Sequence, residues 1–134
     1  MDPMPSEYFE THFRCDDPAG DWPAEFVIIT AYATTGEDWP EEKNREADKR
    51  LEADLRRQGL WVRRVTGYSP ATGHAEPGWA TNLPLAEACD VGRDYLQDAI
   101  YHITGDVLSV TRCDERRGLE HFQLPSSGYP AWRK

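Results

Sequence analysis

The run FVIITAY, Phe26 to Tyr32, limits what this chain can fold into more than any other stretch. Its residues are almost continuously apolar and rich in β-branched side chains, without the polar alternation that would leave one face to water. A segment of this kind must be covered on both faces, or nearly so, which predicts the central strand of a sheet. The rest of the chain then has to supply strands that pair beside it and elements that pack over it. With 134 residues the chain is long enough for one core, because a domain of this size buries roughly two-thirds of the surface its unfolded chain exposes.

Downstream of TTGEDWP, the segment Glu41 to Gln58 is dense in Glu, Lys, Arg, Ala and Leu and is closed by Gly59, which predicts a helix with a glycine stop. Pro40 suits its first turn, and Ala47, Leu51 and Leu55 give it a thin apolar stripe. Leu60 to Tyr68 alternates as a second strand should. Ala75 to Asn82 follows the turn-rich SPATGH as a third, and Pro77-Gly78 inside it point to an edge or bulged position. Pro84 to Leu96 has Leu85, Cys89, Gly92 and Leu96 at helical spacing, so a second helix is expected there. Ala99 to Thr104 and Val107 to Arg112 flank Gly105-Asp106, a pair that tolerates the positive φ of a two-residue hairpin.

These elements run β-α-β-β-α-β-β with no internal repeat. They predict a single α+β domain, a two-layer sandwich with a mixed or antiparallel sheet and two helices on one face, related to the ferredoxin-like split β-α-β arrangement. Residues 1–24, rich in Pro, Asp and Gly, read as an arm lying over the domain proper at 25–113, and residues 114–134 read as a polar tail wrapping its surface.

Charge and cysteine usage exclude several classes of function. A formal net charge of −9 does not suit a protein that neutralises phosphates, so no direct nucleic-acid binding is expected. Cys15, Cys89 and Cys113 are widely spaced and contain no CxxC pair, which points to reduced thiols and neither a disulfide framework nor a thiolate metal site. The acidic start MDPMPSEYFETHF has no apolar run of signal-peptide length, and no later run is long enough to span a bilayer. A cytoplasmic protein without membrane attachment is expected.

His74-Ala75-Glu76 has the spacing of the zinc-ligand and proton-shuttle half of a nucleobase deaminase. The second half, Pro-Cys-x-x-Cys, is missing, and the tripeptide runs into Pro77-Gly78 where a helix would be needed. Ligands can also converge from distant segments, as His74 and Glu76 would with His102 or His121, but alternate polar residues on an exposed strand are commonplace and no metal or other cofactor is expected. There is no G-x-S-x-G, P-loop or dinucleotide fingerprint, so no reaction is indicated.

One polar constellation does follow from spacing. Asn44 heads the stripe of Ala47, Leu51 and Leu55, which aims an amide at the sheet near the end of the first strand, where Thr30 and Tyr32 share a face. Arg45 borders that stripe as a bidentate donor, and the helix start favours anions. Gln97-Asp98 sits where the second helix meets the following strand. The structural reading of the same residues has Asn44 capping a loop, Thr30 bonded to a backbone group, Arg45 bridging Glu41 or Asp48 in solvent, and Gln97-Asp98 turning the chain. Trp39, Trp61 and Trp79 are candidates for pocket walls or for ordinary packing.

The blocks ITAY (29–32), Asn44-Arg45 within EEKNREADKRLEADL, VTGYS (65–69), HAEPGW (74–79) and YLQDAIYHI (95–103) resemble, in order and spacing, the bacterial domain-of-unknown-function family 3293. The resemblance covers roughly residues 24–112 and implies that Thr30, Ala31, Tyr32, Asn44, Glu76, Gln97 and Asp98 belong together. It implies no activity. Where the family pattern continues as Asn-Pro after the strand-one aromatic, this chain has Ala33-Thr34. Glu76, not His74, is the part of HAEP that matches best.

Three functions compete. The first is a domain binding a small polar or anionic ligand through Thr30, Tyr32, Asn44, Arg45, Glu76 and Gln97, with Glu76 or Asp98 as general base should it be an enzyme. The second is a non-enzymatic inhibitor or regulator whose acidic helix 41–58 docks on a basic partner, such as a nucleic-acid-handling protein. The third is a structural accessory subunit, whose sign would be an exposed apolar patch or a long unpaired strand edge.

Overall fold

The computed structural model describes residues 12–15, 22–32, 39–69, 73, 75–104, 107–114 and 120–122. Its elements are β1 (His12–Arg14), β2 (Glu25–Ile29), α1 (Glu41–Arg57), β3 (Val62–Tyr68), β4 (Ala75–Thr81), α2 (Leu85–Asp94), β5 (Ala99–Thr104), β6 (Val107–Arg112) and β7 (Glu120–Phe122). The described strands form one seven-stranded sheet of order β1-β3-β4-β2-β5-β6-β7.

Strand β2 stands at the middle of that order, and Phe26, Val27, Ile28 and Ile29 are each at most 5% exposed. Side chains alternate across a strand. Val27 and Ile29 therefore join the core beneath the helices, with Leu51 and Leu55 of α1, Ala88 and Cys89 of α2, and Val62, Trp79 and Ile100. Phe26 and Ile28 face the other way, into a second cluster with Phe13, Val65, Ala80, Ile103 and Leu108, bordered by Trp22, Trp61 and Tyr101. Both faces of the central strand are covered, as its composition requires.

Every pairing in the sheet is antiparallel, which removes the mixed alternative. Strands β2 and β3 run in the same direction with β4 between them, and β4 and β5 do likewise with β2 between them. The crossovers β2-α1-β3 and β4-α2-β5 therefore interleave. The pairing of Thr104 with Val107 leaves a two-residue connection between β5 and β6, although Gly105 and Asp106 themselves lie outside the described residues. Short strands from the two terminal segments extend both edges, β1 on β3 and β7 on β6.

The third predicted strand is not at an edge. β4 lies inside the sheet, paired along its whole length with β3. Proline is tolerated there because β2 pairs only with Trp79, Ala80 and Thr81 of β4, so Pro77 lies beyond its end. The Pro77 carbonyl accepts a hydrogen bond from the Thr30 hydroxyl at 3.0 Å, which shows that Pro77's missing N–H also points past the end of β2. The neighbouring Gly78 is required by close approach. A Cβ there would sit 3.0 Å from the Ile29 carbonyl oxygen.

Helix α1 carries Glu41 and Glu42 in its first turn and Arg56 and Arg57 in its last, matching the helix dipole. It stops at Gly59, whose φ of +75° only glycine adopts without strain. Leu51 and Leu55 are fully buried, worth roughly 2 kcal/mol each relative to exposure. Helix α2 ends differently. The Gln97 N–H reaches the Gly92 carbonyl and the Leu96 N–H that of Arg93, forming a Schellman turn in which Leu96 holds the left-handed position at φ 62°. A leucine there costs about 1–2 kcal/mol relative to right-handed backbone, and this one is 58% exposed. Among the described residues no helix is long and apolar enough to cross a membrane.

Candidate functional site

The chain leaves the sheet after Ile29, and polar groups collect where it does so. The Thr30 hydroxyl donates to the Pro77 carbonyl and accepts from the Tyr32 N–H at 3.2 Å. The Tyr32 carbonyl accepts from Nε2 of Gln97 at 2.7 Å, and the same amide donates to the Tyr95 carbonyl at 3.2 Å. Gln97 is buried, and the Schellman turn is what delivers it: the reversal at Leu96 swings the next side chain inward toward the end of β2. Both hydrogens of its amide are then spent on backbone carbonyls of two separate segments.

The side chain of Tyr32 extends to the start of α1, where its hydroxyl donates to Oε1 of Glu41 at 3.1 Å. Burial, followed by the bond to this carboxylate and its charge, pushes the Tyr32 phenol above its ordinary pKa. Glu41 also meets Nε of Arg45 at 3.5 Å, with the arginine side chain 71% exposed. Thr30, Tyr32 and Gln97 are thus brought together, and Arg45 reaches them through Glu41.

The remaining candidates take other positions. Asn44 is buried on the sheet-facing stripe of α1. Glu76 pairs with Gly67, and the alternation of β4 sets it with Gly78 and Ala80 on the sheet face away from the helices, where its Oε1 is buried. Asp98 is exposed at the start of β5, and its carbonyl accepts from the Cys113 N–H at 2.9 Å. The tryptophans do not share a wall. Trp79 is in the helix-side core, Trp61 meets Trp22 edge to face and Phe26 at a tilt near the opposite face, and Trp39 lies under the Lys43 ammonium at 4.0 Å.

A second cluster was not visible in the residue spacing. Asp48, 6% exposed, lies on the buried stripe of α1 and not in solvent beside Arg45. Arg64 of β3 grips it with two bonds, 2.9 Å to Oδ1 and 2.6 Å to Oδ2, and donates also to the Gly78 carbonyl at 3.3 Å. The guanidinium lies 3.7 Å from the centre of the Trp79 ring, and the Trp79 indole N–H donates to the Asp48 carbonyl at 3.3 Å. One helix and two strands are clamped by three side chains. Only Arg64, charged in the middle of a strand beside a buried tryptophan, could have hinted at it.

Among the described residues no three His, Cys, Asp or Glu side chains are grouped to hold a metal. His102 meets Glu25 at 2.6 Å, and His74 lies outside the described residues. A family model described as "Protein of unknown function (DUF3293)" matches residues 29–100, from the end of β2 into β5, and so takes in all seven candidate positions. No curated protein matches the chain.

Proposed function

Since this chain belongs to the DUF3293 family, whose function is unknown, we propose a function from geometry alone: the domain binds a small polar ligand where β2 ends. One observation carries the reading. The Tyr32 hydroxyl, the Glu41 carboxylate and the Arg45 guanidinium form a partly exposed chain of hydrogen-bonding groups, anchored from beneath by the buried Gln97 amide. Groups held from below and open above are what a binding surface needs, because little ordering remains to be done when a ligand arrives. With a carboxylate in the group, a neutral or amine-bearing polar ligand fits better than an anion, for which only Arg45 offers charge. Asn44, Glu76 and Asp98 enter this reading as supports and not as ligand contacts. Cytoplasmic residence is part of it too, in keeping with three cysteines that form no disulfide. So is the view of β3-β4-β2-β5 with its two crossovers as a variant of the ferredoxin-like arrangement, enlarged by the outer strands.

A thermal-shift screen against nucleotides, amino acids and divalent metals tests this reading. A ligand at a hundred times its Kd stabilises the fold by about 2.7 kcal/mol. Tyr32→Phe and Glu41→Gln should each reduce the shift while leaving the unliganded melt nearly unchanged. A hit whose shift ignores both substitutions would remove the site.

A second reading, an acidic module docking on a basic protein, is favoured by the distribution of charge. Helix α1 is not its acidic surface, since its six acidic residues are balanced by six basic ones. Within the helix Glu41, Glu52 and Asp54 pair with Arg45, Arg56 and Arg57. The excess lies in residues 1–40, with nine acidic residues against Arg14 alone. Salt-sensitive capture of a basic protein that is lost on removing residues 1–21 would support this reading over the first.

A further inference from the structure

We draw no further inference here: the strongest candidate, the side-chain cluster of Glu25, His102 and Ser109 that β2, β5 and β6 set on one face of the sheet, is closed to any substrate, because His102 spends its Nε2 on Glu25 at 2.6 Å and is 6% exposed, and Ser109 opposite it is 1% exposed.

Discussion

Thr81 is wholly buried between Val27 and Val62, its partners on the two flanking strands, and its hydroxyl has no hydrogen-bond partner among the described residues. An unsatisfied hydroxyl in such a place costs about 1–3 kcal/mol. Thr81→Val keeps the shape and the β-branching, so it should raise stability by about 1 kcal/mol or more in chemical denaturation, and a loss of stability would show that the hydroxyl is in use. The phenols make a second residue-scale prediction. Burial and the bond to Asp54 push the Tyr95 pKa well above its usual 10.0, and Tyr32 is raised too. Above pH 10 the unfolded chain has released these protons while the folded one retains them, so the unfolded state binds fewer and stability falls as pH rises. Denaturation midpoints should therefore decline past pH 10, less steeply in Tyr95→Phe than in the parent. Neither feature was legible in the sequence. A threonine in a strand and a tyrosine after a helix look ordinary until their neighbours are known.

At the scale of elements, the clamp of Asp48, Arg64 and Trp79 joins α1 to β3 and β4. Removing one member of a buried pair leaves the other uncompensated, which costs about 3–5 kcal/mol when both are fully enclosed. The Arg64 side chain is 32% exposed, so water offsets part of that loss. Asp48→Ala should lower stability by about 2 kcal/mol, read by urea denaturation, and a change below about 0.5 kcal/mol would make the clamp incidental. Both helices were legible because their spacing, their prolines and Gly59 are local signals. So was β2, whose composition allows no other position. The place of β4 was not, because Pro77 is acceptable only where the neighbouring strand has already ended, and that depends on a segment more than forty residues away. Strands β1 and β7, three residues each within polar stretches, carry no period long enough to read. Of the candidate site, the link from Tyr32 to Gln97 spans 65 residues. Spacing along the first helix correctly set Asn44 facing inward, yet it made Asp48 look solvated, since an aspartate's burial is decided by an arginine on another element.

Taken whole, the molecule is ordered from its centre outward. β2 has neighbours on both sides and cover on both faces, whereas β1 and β7 are the edge strands. Native-state hydrogen exchange should therefore be slowest in β2 and in the parts of β4 and β5 that pair with it, and should quicken toward β1 and β7. Edge strands that outlast β2 would contradict this layering. The interleaved crossovers carry a further consequence. If the backbone is severed between residues 69 and 75, one piece keeps β2 and β3, which do not pair with each other, and the other keeps β4 and β5, which do not pair either. The first piece keeps the central strand but loses both of its neighbours to the second, so each supplies strands the other needs. Two such pieces fused to separate proteins would become ordered only when brought side by side, which makes this small domain a natural candidate for a complementation reporter.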